Sequence, residues 1–113
     1  MDTPSHHHVI VHQAEAFLSA RPATSVPLAD LCRVTGVCER TLRNAFHDVR
    51  GTSPKRYMLR ARLNEAHKAL QRDNSTTVTT VATDHGFYEL GRFASMYKAT
   101  FGERPSETLR AHA

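Results

Sequence analysis

The sequence predicts an all-α fold of seven helices, with two helix-turn-helix units joined by a long linker helix. Three observations carry that expectation. Apolar residues recur at helical spacing, and no stretch between turn signals sustains the period-2 alternation of a strand. Glycine and proline fall at the joints between the periodic stretches. The second half also repeats the first. Leu31 precedes Gly36 by five residues, and Val81 precedes Gly86 by five. Leu42, Phe46, Gly51 and Pro54 are then matched, at a constant offset of 51, by Phe93, Tyr97, Gly102 and Pro105. Before the turn the offset is 50, so the second copy carries one extra turn residue.

Residues 1–8, with Asp2-Thr-Pro-Ser followed by three histidines, read as a disordered tail. A short amphipathic helix follows over 9–20, with Val9, Ala14, Phe17 and Leu18 on its apolar side. Arg21-Pro22 ends it, because a residue before proline is pushed out of the α region. Pro27 opens the next helix, where its missing N–H costs little. That helix spans 27–35 and turns Leu28, Leu31 and Val34 inward; Gly36 stops it in the left-handed conformation that glycine adopts cheaply. The helix over 38–49 buries Leu42, Ala45, Phe46 and Val49, spaced i, i+3, i+4, i+7 on one face. Ser53-Pro54 starts a long helix over 54–72 with Leu59, Leu63, Ala66 and Leu70 as its buried stripe. After a polar loop, Thr76 or Thr77 caps a helix over 77–84 that packs Val78, Val81 and Ala82. A helix over 90–101 buries Phe93, Ala94, Tyr97 and Phe101, and one over 105–112 is anchored by Leu109. The organisation is thus a tail (1–8), a first unit (9–53), a linker helix (54–72) and a second unit (73–113).

One hundred and thirteen residues make about one domain, too small for a deep catalytic cleft. No run approaches the roughly 18 apolar residues of a membrane span. The N-terminus lacks the basic-then-apolar layout of a secretory signal. Two cysteines build no disulfide framework. These features lead to the expectation of a cytoplasmic protein. The net charge of +4 is concentrated: residues 28–72 hold ten Lys or Arg against four acids, while the segments on either side are each net −1. A basic cluster beside a helical motif suits phosphate binding.

In a helix-turn-helix the second helix enters the major groove and the first braces it across the backbone. The turn needs glycine, and the crossing needs small residues. Ala29 and Cys32 supply these in the first copy, Ala82 and Thr83 in the second.

At this point the chain resembles the DNA-binding domain of the AraC/XylS transcription regulators, over residues 10–111. Gly51-Thr-Ser-Pro-Lys-Arg-Tyr57, Arg60-x-Arg62-Leu63, Gly86-Phe87, Arg92-Phe93 and Phe101-Gly-Glu-Arg-Pro-Ser106 carry the resemblance. It implies seven helices, promoter binding through two successive major-groove segments, activation of transcription and contact with RNA polymerase. Such regulators commonly carry an additional effector-sensing or dimerisation domain. The loose start of this chain suits a former interdomain linker, so the expectation is the C-terminal part of a longer, effector-responsive regulator, monomeric as an isolated domain.

Arg40, Arg43 and Asn44 leave the buried face of the first recognition helix and are the expected base readers there. Arginine pairs with guanine O6/N7 and asparagine with adenine N6/N7; the resemblance maps base contacts to the same three positions. Glu39 favours the helix N-terminus. On the second recognition helix the groove-facing positions are Leu90, Gly91, Arg92, Ser95 and Lys98, with Arg92 and Ser95 as the base contacts. Many family members carry Ser and Arg where this chain has Gly91 and Ser95. The second unit is therefore expected mainly to position the domain and the first to specify. Phosphate contacts are expected from Arg33, His47, Lys55, Arg56, Lys98 and Arg104. Tyr88 and Glu89 reach toward the backbone from the turn, and Arg60 and Arg62 pair with Glu65 or Asp84. The linker helix, about 18 residues long, spans roughly 27 Å, compatible with major-groove faces about 34 Å apart.

Two rival readings are weaker. His6, His7, His8, His12, Cys32 and Cys38 match no closed Cys/His spacing, so no metal and no other cofactor is expected. No nucleophile motif or glycine-rich phosphate loop is present, so no enzyme is expected. The serious alternative is a protein-interaction module in which the basic first half binds an acidic partner or RNA polymerase, without sequence-specific DNA readout.

Overall fold

The computed structural model describes residues 4–21, 26–73 and 75–112, which form helices joined by turns, with no strand among them. Seven helices occur in chain order: α1 (Pro4–Ser19), α2 (Leu28–Thr35), α3 (Glu39–Arg50), α4 (Pro54–Arg72), α5 (Val78–Asp84), α6 (Leu90–Phe101) and α7 (Pro105–Ala111). The chain divides into two compact units, residues 1–60 and 61–113, and the division falls inside α4.

In the first unit α1 packs on α3 and α2. Ile10, Val11, Ala14, Val26, Leu31, Leu42, Ala45 and Phe46 form its core, and Tyr57 and Met58 from the start of α4 pack against them. Each large apolar side chain so buried contributes about 1.5–3 kcal/mol relative to exposure. Two reversals occur here. The expected tail over residues 1–8 is helical from Pro4, where a proline fits a helix start. His7 is buried and its Nδ1 lies 2.9 Å from Asp48 Oδ2 on α3, 41 residues away in sequence. Residues 1–3 lie outside the described residues, as does Pro22. With the helix started at Pro4, its inner face runs through His7, Ile10, Val11, Ala14 and Leu18. Val9 falls on the opposite side and is half exposed.

On α2 the inner face is Leu28, Leu31, Cys32 and Thr35, spaced i, i+3, i+4, i+7. Val34, expected inside, lies at the edge and is exposed. The Thr35 hydroxyl can turn inward because it donates to the Leu31 carbonyl at 2.7 Å. Gly36 closes α2 at φ 73°, its N–H donating to the Cys32 carbonyl. Ala29 is exposed and Cys32 is the small residue packed against the core.

The second unit holds most of α4 with α5, α6 and α7. Thr77 caps α5 by accepting from the Thr80 N–H at 3.1 Å. Phe93 and Tyr97 of α6 are fully buried, and Val81, Ala82 and Phe87 are buried in the same unit. Thr83, expected at the crossing, is exposed. Thr108, not Leu109, is the buried anchor of α7. A hydrogen-bonded chain explains a threonine there: His67 Nδ1 lies 2.6 Å from the Tyr97 hydroxyl, which donates to Thr108 Oγ1 at 2.8 Å. Three helices are thereby tied through polar groups that burial would otherwise leave unsatisfied. His67 also stacks on Phe101, ring centroids 4.2 Å apart. Gly86 turns at φ 83°, and a Cβ added there would sit 2.9 Å from Arg62 Nη1. Arg62 lies over the Phe87 ring, 4.7 Å from its centroid. Its expected ion pair with Glu65 or Asp84 is replaced by this cation–π contact, which needs no buried carboxylate. Glu65 pairs with Lys68 instead.

Candidate nucleic-acid interface

The site in the first unit is built by α3. Leu42, Ala45 and Phe46 turn it inward and leave Arg40, Arg43, Asn44 and His47 along the outer face, all exposed. These four share the i, i+3, i+4, i+7 spacing that lines up side chains on one helical stripe. The acids of α3 do not share this stripe unopposed. Asp48 is bonded to His7. Glu39 is the first helical residue, where a carboxylate complements the partial positive charge of the helix start. It also holds the Arg43 guanidinium, Oε1 to Nη2 2.8 Å. Arg43 is therefore already oriented on the surface, although a guanine would compete with Glu39 for it.

The C-terminal end of α3 is fixed by a three-helix cluster that sequence reasoning missed. Arg50 meets Glu15 of α1 in a two-pronged pair, both N–O distances 2.8 Å. The Tyr57 hydroxyl donates to the same carboxylate at 2.8 Å. The Arg50 hydrogen bonds, aided by that from Tyr57, hold the Glu15 carboxyl below its ordinary value despite partial burial. Burial, followed by the Glu15 contact, pushes Tyr57 up to about 12, so it stays a neutral donor at physiological pH. No local signal exposes this cluster, since its members are 35 and 42 residues apart in sequence.

Cys38 occupies the N-cap position of α3 and is exposed; hydrogen bonding from Thr41 and its backbone lowers its thiol. Burial pushes the Cys32 thiol up. Among the described residues no three His, Cys, Asp or Glu side chains group to hold a metal ion.

The corresponding helix in the second unit is α6. Phe93 and Tyr97 turn it inward, leaving Leu90, Gly91, Arg92, Ser95 and Lys98 exposed. The Ser95 hydroxyl donates back to the Gly91 carbonyl at 3.1 Å, so its proton is occupied and acceptor capacity remains. Arg92 and Lys98 are the cationic groups of this face. Tyr88, in the turn before α6, is among the most exposed residues of its size, at 80%.

The residues expected at phosphates are also all exposed: Arg33, His47, Lys55, Arg56, Lys98 and Arg104. Arg33 is paired with Asp30 at 3.1 Å, which dilutes its charge. Lys55 and Arg56 stand in the first turn of α4, where the Arg56 N–H is capped by Ser53 Oγ at 3.2 Å. Arg104 is the N-cap residue of α7, its backbone N–H donating to the Glu107 carboxylate at 3.0 Å. Its side chain is exposed.

Two helical pairs, each leaving the outer face of its second helix exposed, define the class: a tandem helix-turn-helix DNA-binding domain. Comparison with known proteins gives the family. The family described as "Helix-turn-helix domain" matches residues 31–111. The chain is 40% identical over 103 residues to the "Probable thc operon regulatory protein" of Rhodococcus erythropolis, covering 89% of this chain and 31% of that protein. It is 38% identical over 97 residues to the "XylDLEGF operon transcriptional activator" of Pseudomonas putida, covering 83% of this chain and 30% of that protein. The crystal structure of "a probable AraC family transcriptional regulator" from Rhodopseudomonas palustris superposes with a TM-score of 0.85 at 39% identity, over 92% of this chain and 97% of that one. The chain belongs to the AraC/XylS family of transcription regulators. It spans under a third of the length of the two curated relatives named above. No helix among the described residues is long and apolar enough to cross a membrane.

Proposed function

We propose that this chain binds duplex DNA sequence-specifically, with α3 as the main base reader and α6 mainly a positioning element, and that it serves a regulator which activates transcription. The observation that carries the reading is the outer stripe of α3. Arg40, Arg43 and Asn44 stand exposed there with the donors and acceptors that guanine and adenine edges require. The nearby acids Asp48 and Glu15 are taken up by His7 and Arg50. Arg33, His47, Lys55, Arg56, Lys98 and Arg104 contact phosphates and set the register. Two readers on one chain allow a single copy to occupy an asymmetric site, so the domain binds as a monomer. Activation follows those relatives that are named transcriptional activators, and contact with RNA polymerase follows the family resemblance.

The test is selection of bound sequences from a random duplex pool, followed by salt-dependent affinity for the selected site and for random duplex. The expected result is a recovered motif and tighter binding to it at every salt concentration. Lys55→Ala should weaken both duplexes alike and reduce the salt slope by about 1. Equal affinity for selected and random duplex would favour a basic protein-interaction surface instead.

A further inference from the structure

The second reading face has few groups that can hydrogen-bond to a base, yet it carries exposed apolar surface where a groove reader is placed. Four large hydrophobic residues are exposed among the described residues, and two of them, Tyr88 at 80% and Leu90 at 41%, bracket the N-terminus of α6. Gly91 follows directly, and a Cβ added there would meet nothing within 4 Å. The absent side chain bares the helix and lets it approach another surface closely. Arg92 and Lys98 are exposed on the same helix, so what docks there is anionic around an apolar contact. Ser95 has its proton turned back to Gly91. In the major groove the one apolar feature of a base edge is the 5-methyl group of thymine, lined on either side by phosphates.

We infer that Leu90, assisted by Tyr88, is a thymine-methyl contact of the second unit. This rests on the DNA-binding reading above and deepens it. The second unit reads through apolar contact, and Arg92 and Lys98 hold the flanking phosphates. Its selectivity is modest, because each methyl contributes about a fourfold preference, the worth of one buried carbon. Cytosine and uracil at the same position lack the group and are disfavoured.

The experiment uses the intact chain and the site recovered from the random pool. Each thymine is replaced in turn by deoxyuridine, which removes the methyl and leaves the pairing edge unchanged. Affinity is measured for the wild type, Leu90→Ala and Tyr88→Ala, with melting curves to confirm that these exposed substitutions leave the fold intact. One or two positions should lose about fourfold in affinity with the wild type. Leu90→Ala should bind the thymine site correspondingly more weakly and become indifferent to deoxyuridine at one of those positions. Tyr88→Ala should show a partial loss of the same kind. Deoxyuridine effects that persist unchanged in Leu90→Ala overturn the inference, as does a recovered motif with no deoxyuridine-sensitive thymine. In both cases the motif itself leaves the DNA-binding reading standing. A pool with no recovered motif overturns that reading, and this inference with it.

Discussion

α3 and α6 hold equivalent places in a duplicated pattern, and their inner faces are built alike. Leu42 and Phe46 on one correspond to Phe93 and Tyr97 on the other, and all four are fully buried. The outer faces have diverged. α3 shows Arg40, Arg43, Asn44 and His47, whereas α6 shows Leu90, Gly91, Arg92, Ser95 and Lys98. The supports differ too. α3 is bolted to α1 by the hydrogen bond between His7 and Asp48 and by the ion pair of Glu15 with Arg50. α6 is tied by a hydrogen-bonded chain through His67, Tyr97 and Thr108. Folding constrains the inward residues by volume and leaves the outward ones open to set chemistry. Duplication of a fold therefore need not duplicate a reading function.

The largest expected effect breaks one side of the comparison outright. Phe46→Ala removes a fully buried ring from the first core and should cost about 3–5 kcal/mol of stability, measured by denaturant unfolding. Next come the readers. Arg43→Ala should cost about 1–3 kcal/mol at the selected site and relax one base position. Arg92→Ala should weaken selected and random duplex more nearly alike, read by competition binding. A smaller effect concerns the brace. Glu15→Gln should lower the melting temperature at pH 7 by about 4–8 °C, the shift that 1 kcal/mol produces in a domain of this size. The folded carboxyl lies below its ordinary value of 4.5, so its stabilisation is fully present above that pH and fades as pH falls through the folded value. Melting at successively lower pH, from 7 to below the ordinary carboxylate value, should therefore narrow the difference between wild type and Glu15→Gln. The smallest effect is Gly91→Ala. It should raise stability by about 0.5–1 kcal/mol, since the position is helical and open.

Much of this was legible in the sequence because it is local. The glycine and proline punctuation placed every helix after the first to within a residue or so, and the periodicity of α3 separated its core face from Arg40, Arg43 and Asn44. What failed to show was set by contacts distant in sequence. The histidine run reads as a polar tail until His7 meets Asp48, and Val9 turns outward because His7, Ile10, Val11 and Ala14 take the inner face of α1. The Glu15–Arg50–Tyr57 cluster joins three helices and leaves no periodic trace. Thr108 looks like an ordinary surface residue until the Tyr97 hydroxyl needs a partner. Arg62 suggested an ion pair by its charge, whereas the flat face of Phe87 was the available partner.

The most direct test of the unequal pair is the division of base preference between the two halves of the selected site. Selection is run with the wild type, with an Arg43→Ala/Asn44→Ala double variant and with Arg92→Ala. Strong base preferences should lie in one half, vanish in the double variant and survive in Arg92→Ala, while the other half shows at most a mild preference for thymine. Equal preference in the two halves, or a motif that survives the double variant and is lost with Arg92→Ala, would contradict the account.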